Sequence, residues 1–124
     1  LDLLTARDRI ERLSAITVDE WHQSVHRWQR HSSIVFHDEI AQLLCRAACR
    51  WAGVPLADAE VAARTHAFVE MVEGAGRVGP RTWRALRRRR ETERWLRSVV
   101  GAVRDGRLDA APGSVLHAIA SYRE

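Results

Sequence analysis

Ile40-Ala41-Gln42-Leu43-Leu44-Cys45-Arg46-Ala47-Ala48-Cys49-Arg50-Trp51-Ala52-Gly53-Val54-Pro55 decides the class of this chain. Ile40, Leu43, Leu44, Ala47, Ala48 and Trp51 recur at three- and four-residue steps, the period of an amphipathic helix, and Gly53 with Pro55 supplies its stop. The same period runs through the flanks. Ile10, Leu13, Trp21, Val25 and Trp28 make a stripe that predicts one long helix from about Ala6 to Arg30, with Thr5/Asp8 and Thr17/Glu20 as capping-box pairs and a possible break at Thr17. Ser33-Ile34-Val35-Phe36 is the one β-like run, short enough for an edge piece or an extended linker.

Downstream, Val61, Thr65, Phe68, Val69 and Val72 line a helix that runs out at Gly74-Ala75-Gly76. Pro80 suits a first helical turn, and from it a helix extends to about Arg104, ended by Gly106. Trp83 and Leu86 open its stripe and Trp95, Leu96, Val99, Val100 and Val103 resume it, whereas Arg87 to Arg94 holds no strong hydrophobe. Those middle turns are expected to pass through solvent, with Glu91 and Glu93 as local partners for the arginines. Ser114 can cap a last short helix carrying Val115, Leu116 and Ile119. The expectation is an all-α fold of about five helices with one short extended piece, residues 1–124 forming one incomplete piece of a domain. Leu1 and the absence of a terminal tail give both ends the look of cuts from a longer chain.

Composition narrows the function classes. The 124 residues are 46% hydrophobic and 29% charged, too apolar for a disordered segment, and no run approaches the roughly 18 apolar residues of a membrane span. No basic start, apolar stretch and small-residue cleavage site address the chain to secretion, so the cytoplasm is the expected compartment. Twenty positive residues, all of them Arg, against 16 acidic ones leave +4, and Arg81, Arg84, Arg87, Arg88, Arg89 and Arg90 crowd into ten residues. Such a cluster could neutralise phosphates, yet consecutive arginines point around a whole helix and no aromatic platform interleaves with them; a solvated face is the plainer reading.

Other constellations are sparse. Cys45 and Cys49, four apart, stack on one helical face; two thiols do not complete a tetrahedral metal site, and burial as small hydrophobes suits them. His22 and His26 share a face but lack the Glu of a zinc-protease helix. These two, with His31 and His37, are expected at the surface, and His66 and His117 as hydrogen-bonded structural histidines. Neither a nucleophile elbow nor a glycine-rich phosphate loop is present.

The stretch Leu44 to Leu56 closely resembles the bacterial fatty-acid peroxygenases, a branch of the heme-thiolate cytochrome P-450 superfamily. Thr17-x-x-Glu20-Trp21, Arg27-Trp28, Phe68-Val69-Glu70-Met71-Val72, Val78-Gly79-Pro80-Arg81-x-Trp83, Glu93-x-Trp95 and Leu116-His117-x-Ile119-Ala120 match in the same order. The resemblance implies helices D to H of that fold, lying over the distal side of a heme. It also implies an enzyme that hydroxylates long-chain fatty acids at the α or β carbon with hydrogen peroxide and no redox partner, some members decarboxylating them instead. There the substrate carboxylate, held by an arginine on the following helix, replaces an acid-base side chain.

The same resemblance places the heme cysteine outside this chain, because Cys45 and Cys49 lie inside a helix rather than in the glycine-bearing ligand loop. No catalytic residue is carried over. Val72 and Ala75 correspond to substrate-channel positions, with Val78 beside them, and Arg77 stands where a small residue is usual. Trp83 and Arg87 form a Trp-x-x-x-Arg pattern on the wrong helix to hold a heme propionate. From a different class, the alternative is a small helical binding module whose Arg81 to Arg94 segment docks on nucleic acid or an acidic protein.

Overall fold

The computed structural model describes residues 7–76 and 78–122; the expected roles of Leu1, Thr5, Ala6 and Arg77 lie outside them. Among the described residues five α-helices follow one another: α1 (Arg7–Trp28), α2 (Phe36–Ala52), α3 (Val61–Gly74), α4 (Pro80–Arg104) and α5 (Val115–Ser121), with one 3-10 turn at Asp58–Glu60 before α3. Helix α2 packs against α1 and α3, α4 lies along α3, and α5 returns to touch both α4 and α2. Among the described residues no helix is long and apolar enough to cross a membrane.

Helix α1 is continuous through Thr17, whose hydroxyl donates to the Leu13 carbonyl at 2.8 Å and so has its partner inside the helix. The line it buries differs from the expected stripe. Ile16, Glu20 and Ser24 are buried, while Ile10 and Trp21 remain exposed. Polar contacts explain the rotation: the Arg50 guanidinium of α2 donates to Asp19 and, at 3.4 Å, to Glu20. At the other end the Trp28 indole donates to Glu39 at 3.0 Å and stands edge-on to Trp21 and Phe36.

The β-like run Ser33–Phe36 forms no strand. Val35 is extended and caps α2, which Phe36 opens, because no described strand lies alongside to receive its backbone hydrogen bonds. The stop at Gly53 is as expected. Gly53 takes φ 82°, its N–H donates to the Arg50 carbonyl and that of Val54 donates to the Cys49 carbonyl, the two bonds of a Schellman ending. A Cβ at Gly53 would also stand 2.9 Å from the Cβ of Ser114. Buried Ser114 caps α5 by accepting the His117 N–H at 3.1 Å, so the end of α2 and the start of α5 interlock.

Helices α3 and α4 form a tight hairpin. A Cβ on Gly74 would stand 2.3 Å from the Cβ of Ala85 and 2.9 Å from the Arg81 carbonyl. The middle of α4 is solvated on one side, as expected, with Glu91 and Glu93 pairing with its arginines, but its other side lies on α3: Ala85 and Thr92 are buried, and Arg88 pairs with Glu70 of α3 at 2.6 Å. Small and polar residues make this contact, which is why apolar spacing does not reveal it.

Two glycine substitutions separate contact from propensity. Gly74→Ala should destabilise the chain by about 1–3 kcal/mol through overpacking. Gly101→Ala, where nothing lies within 4 Å of an added Cβ, should stabilise α4 by about 0.5–1 kcal/mol. Urea midpoints of the two variants check both signs.

Candidate functional site

Three helices enclose one apolar groove of about 800 Å³. Helix α2 supplies Phe36, Ile40, Leu44 and Ala48, α3 supplies Phe68, Val69 and Val72, and α4 closes the far side with Trp95 and Leu96. Helix α2 manages this because it is apolar on two adjacent sides: Leu43 and Ala47 are buried, and the neighbouring row Ile40-Leu44-Ala48 faces the groove. The Arg64 guanidinium stands 4.0 Å over the Trp95 ring and holds that indole from the α3 side.

The polar residues of the groove wall are His37 and Glu73 together with the buried set Cys45, Cys49 and Thr65. Both cysteines are free and buried, as expected. The Cys49 thiol beside Cys45 lowers the Cys45 pKa to about 6 against the opposing effect of burial, and the Arg46 charge adds to the lowering. Cys49 is pushed up because its protonated thiol is held by hydrogen bonding to Cys45, with burial and repulsion from a Cys45 thiolate adding to the rise. The Thr65 hydroxyl is buried and has no hydrogen-bond partner meeting ordinary geometric limits.

These thiols do not fit a heme. Both lie buried within α2, and the described residues hold no heme ligand. Among the described residues no three His, Cys, Asp or Glu side chains gather to hold a metal.

The expected channel residues do not gather around one cavity. Val72 sits on the lip of the groove and is 76% exposed. Ala75 follows as the exposed C-cap of α3. Val78 is fully exposed and borders a separate cleft with Pro80, Arg81 and Arg84. Phe68, Thr65 and Trp95 entered no site reading from the sequence; the adjacent apolar pair Leu43-Leu44 was the available sign that α2 is two-sided.

The charges of α4 are partly internal. Arg88 bridges Glu70 and Glu91, Arg89 pairs with Glu93 at 3.0 Å, and Arg87 lies 3.7 Å from Glu91. Arg88 holds the Glu70 carboxyl below its ordinary range, and His66, 3.0 Å away, adds to this. His66 is thus paired but largely exposed, and the His117 side chain is exposed while its backbone N–H bonds Ser114. His22, His26, His31 and His37 are at the surface, as expected.

No family model matches the sequence. Solved structures do. Cytochrome P450SP alpha (CYP152B1) in complex with (R)-ibuprophen matches 98% of this chain and 30% of its own at TM-score 0.86 and 33% identity. Cytochrome P450EX alpha (CYP152N1) with myristic acid matches 97% of this chain and 28% of its own at TM-score 0.85 and 32% identity. Ligand-free cytochrome P-450 OleT shares the fold at TM-score 0.85 with 20% identity, over 97% of this chain and 29% of its own. The chain spans less than a third of the length of these relatives.

Two titrations test the electrostatics. Glu70 stabilises the hairpin at pH values above the ordinary 4.5, and that contribution disappears as pH falls through the lower value it has when folded; Glu70→Gln should flatten the acid limb of the stability profile. Ultraviolet thiolate absorbance should show one proton leaving near pH 6, and Cys49→Ala should move it toward 9.0 by removing the thiol donor.

Proposed function

We propose, from a chain that forms a helical portion of the cytochrome P-450 fold and has CYP152 relatives, that the full-length protein is a heme-dependent fatty-acid peroxygenase. The observation that carries this reading is the 33% identity to cytochrome P450SP alpha over 98% of the chain. Residues 1–124 then belong to a single catalytic domain, and the cysteine ligand of the heme belongs to another part of it. The proposed substrates are long-chain fatty acids and hydrogen peroxide, without an electron-transfer partner. Hydroxylation at the α or β carbon is the proposed reaction, with decarboxylation as a competing outcome, and the cytoplasm is the proposed compartment.

The part assigned to this chain is substrate positioning. Val72, Ala75 and Val78 form one end of the α3–α4 hairpin, and the proposed alkyl channel runs past them. Apolar walls favour a methylene chain by about 0.8 kcal/mol for each CH₂ taken from water, so this end would act on chain length and leave the oxidising step to other residues.

Incubation of the full-length protein with hydrogen peroxide and saturated fatty acids of several lengths, with products read by mass spectrometry, tests the reading. Hydroxylated acids formed with peroxide alone support it. A requirement for a reductase, or the absence of any oxidised fatty acid from heme-loaded protein, overturns it. Ala75→Phe should narrow the channel and shift the chain-length profile by about 1–3 kcal/mol per methylene contact while peroxide dependence persists. An unchanged profile at unchanged heme content would remove Ala75 from the channel.

A further inference from the structure

The outward side of α4 takes no part in the groove or the hairpin contact. Ala85, Arg88 and Thr92 are turned toward α3. Trp83, Leu86, Arg87, Arg90, Arg94 and Arg97 recur at three- and four-residue steps on the opposite side, and within residues 7–122 all six are exposed. Trp83 is 72% exposed and Leu86 45%. Among the described residues no carboxylate lies within 4.0 Å of Arg90, Arg94 or Arg97, in contrast to Arg87, Arg88 and Arg89. The apolar groups sit at one end of this stripe, next to the fully exposed Val78, and the unpaired cations fill the rest.

We propose that this face of α4 docks on an anionic lipid surface, with Trp83 and Leu86 at headgroup level and Arg90, Arg94 and Arg97 against the lipid phosphates. A helix with arginines along a polar face and an indole beside them is suited to lie in the plane of a bilayer interface. Charge complementarity supplies the attraction, since each basic side chain near an anionic leaflet adds to binding and the effect fades within a Debye length. Nucleic acid would also satisfy the arginines, but it would leave Leu86 and Val78 in water, and a single indole is a poor stacking platform. The bilayer accommodates both halves of the stripe. This inference does not depend on the proposed peroxygenase reaction.

The test is sedimentation of the full-length protein with vesicles of phosphatidylglycerol and phosphatidylcholine, with vesicles of phosphatidylcholine alone, and with duplex DNA at matched phosphate. Binding to the anionic vesicles, weakened by salt, is expected. Arg90→Gln with Arg94→Gln should weaken it roughly 30-fold, at a factor of about five per arginine. Arg12→Gln with Arg30→Gln, an equal charge change elsewhere, should leave it within about 4-fold. Brominated lipid should quench tryptophan fluorescence of the parent more than that of Trp83→Phe. Far-UV circular dichroism confirms that each variant is folded. Equal binding to neutral vesicles, equal weakening by both double variants, unchanged quenching in Trp83→Phe, or tighter binding to DNA than to anionic vesicles would each overturn the proposal.

Discussion

Gly74 lying against Ala85 is the constraint from which the useful surfaces of this chain follow. Without side-chain bulk at the contact, α3 and α4 approach closely enough for Arg88 to reach Glu70 at 2.6 Å and for Arg64 to cover Trp95. The first of these is half-sheltered, with side-chain exposures of 29% and 22%, so solvent screening reduces it less than it reduces the outer pairs Arg87–Glu91 and Arg89–Glu93. The second turns an indole into the far wall of the groove. Since small residues and paired charges are spent inward, the large exposed side chains of α4 and its unpaired arginines are left outward.

The α1–α2 contact follows a different rule. Its buried line includes Glu20 and Ser24, and Glu20 shares Arg50 with Asp19 while its second carboxylate oxygen has no described partner. Such a line gains little from apolar burial but is demanding in geometry, because a shift of one residue would leave Glu20 buried without Arg50. The Trp51 indole, donating to the Arg9 carbonyl at 3.0 Å, and the Trp28 indole, donating to Glu39, fix the same register at the two ends. Ile10, Val18 and Trp21 are displaced to exposed positions as a result.

These two contacts explain what was legible in the sequence. Signals that act within a few residues were readable: the Gly53 stop, Pro80 in the first turn of α4, its end at Arg104, the Ser114 cap. The buried line of α1 and the α3-facing side of the middle of α4 were not legible, because glycine, alanine, serine, threonine and paired charges pack without a hydropathic signature. The β-like residues Ser33 to Phe36 carried strand propensity but had no neighbour to pair with. Motif resemblance reached Val72 at the groove lip; Thr65, Phe68 and Trp95 come together only through the angle of the hairpin, which no local spacing encodes.

The two surfaces that the hairpin leaves open call for different partners on physical grounds. The groove is lined almost wholly by carbon, so only apolar contact gains from filling it, and each buried methylene group, whether of an alkyl chain or of a side chain, contributes in proportion to area. The outward face of α4 is kept wettable by arginines, and removing it from water costs more than its Trp83 and Leu86 return unless anions replace the lost hydration. Burial therefore drives the first and charge neutralisation the second, which makes the first insensitive to salt and the second strongly dependent on it.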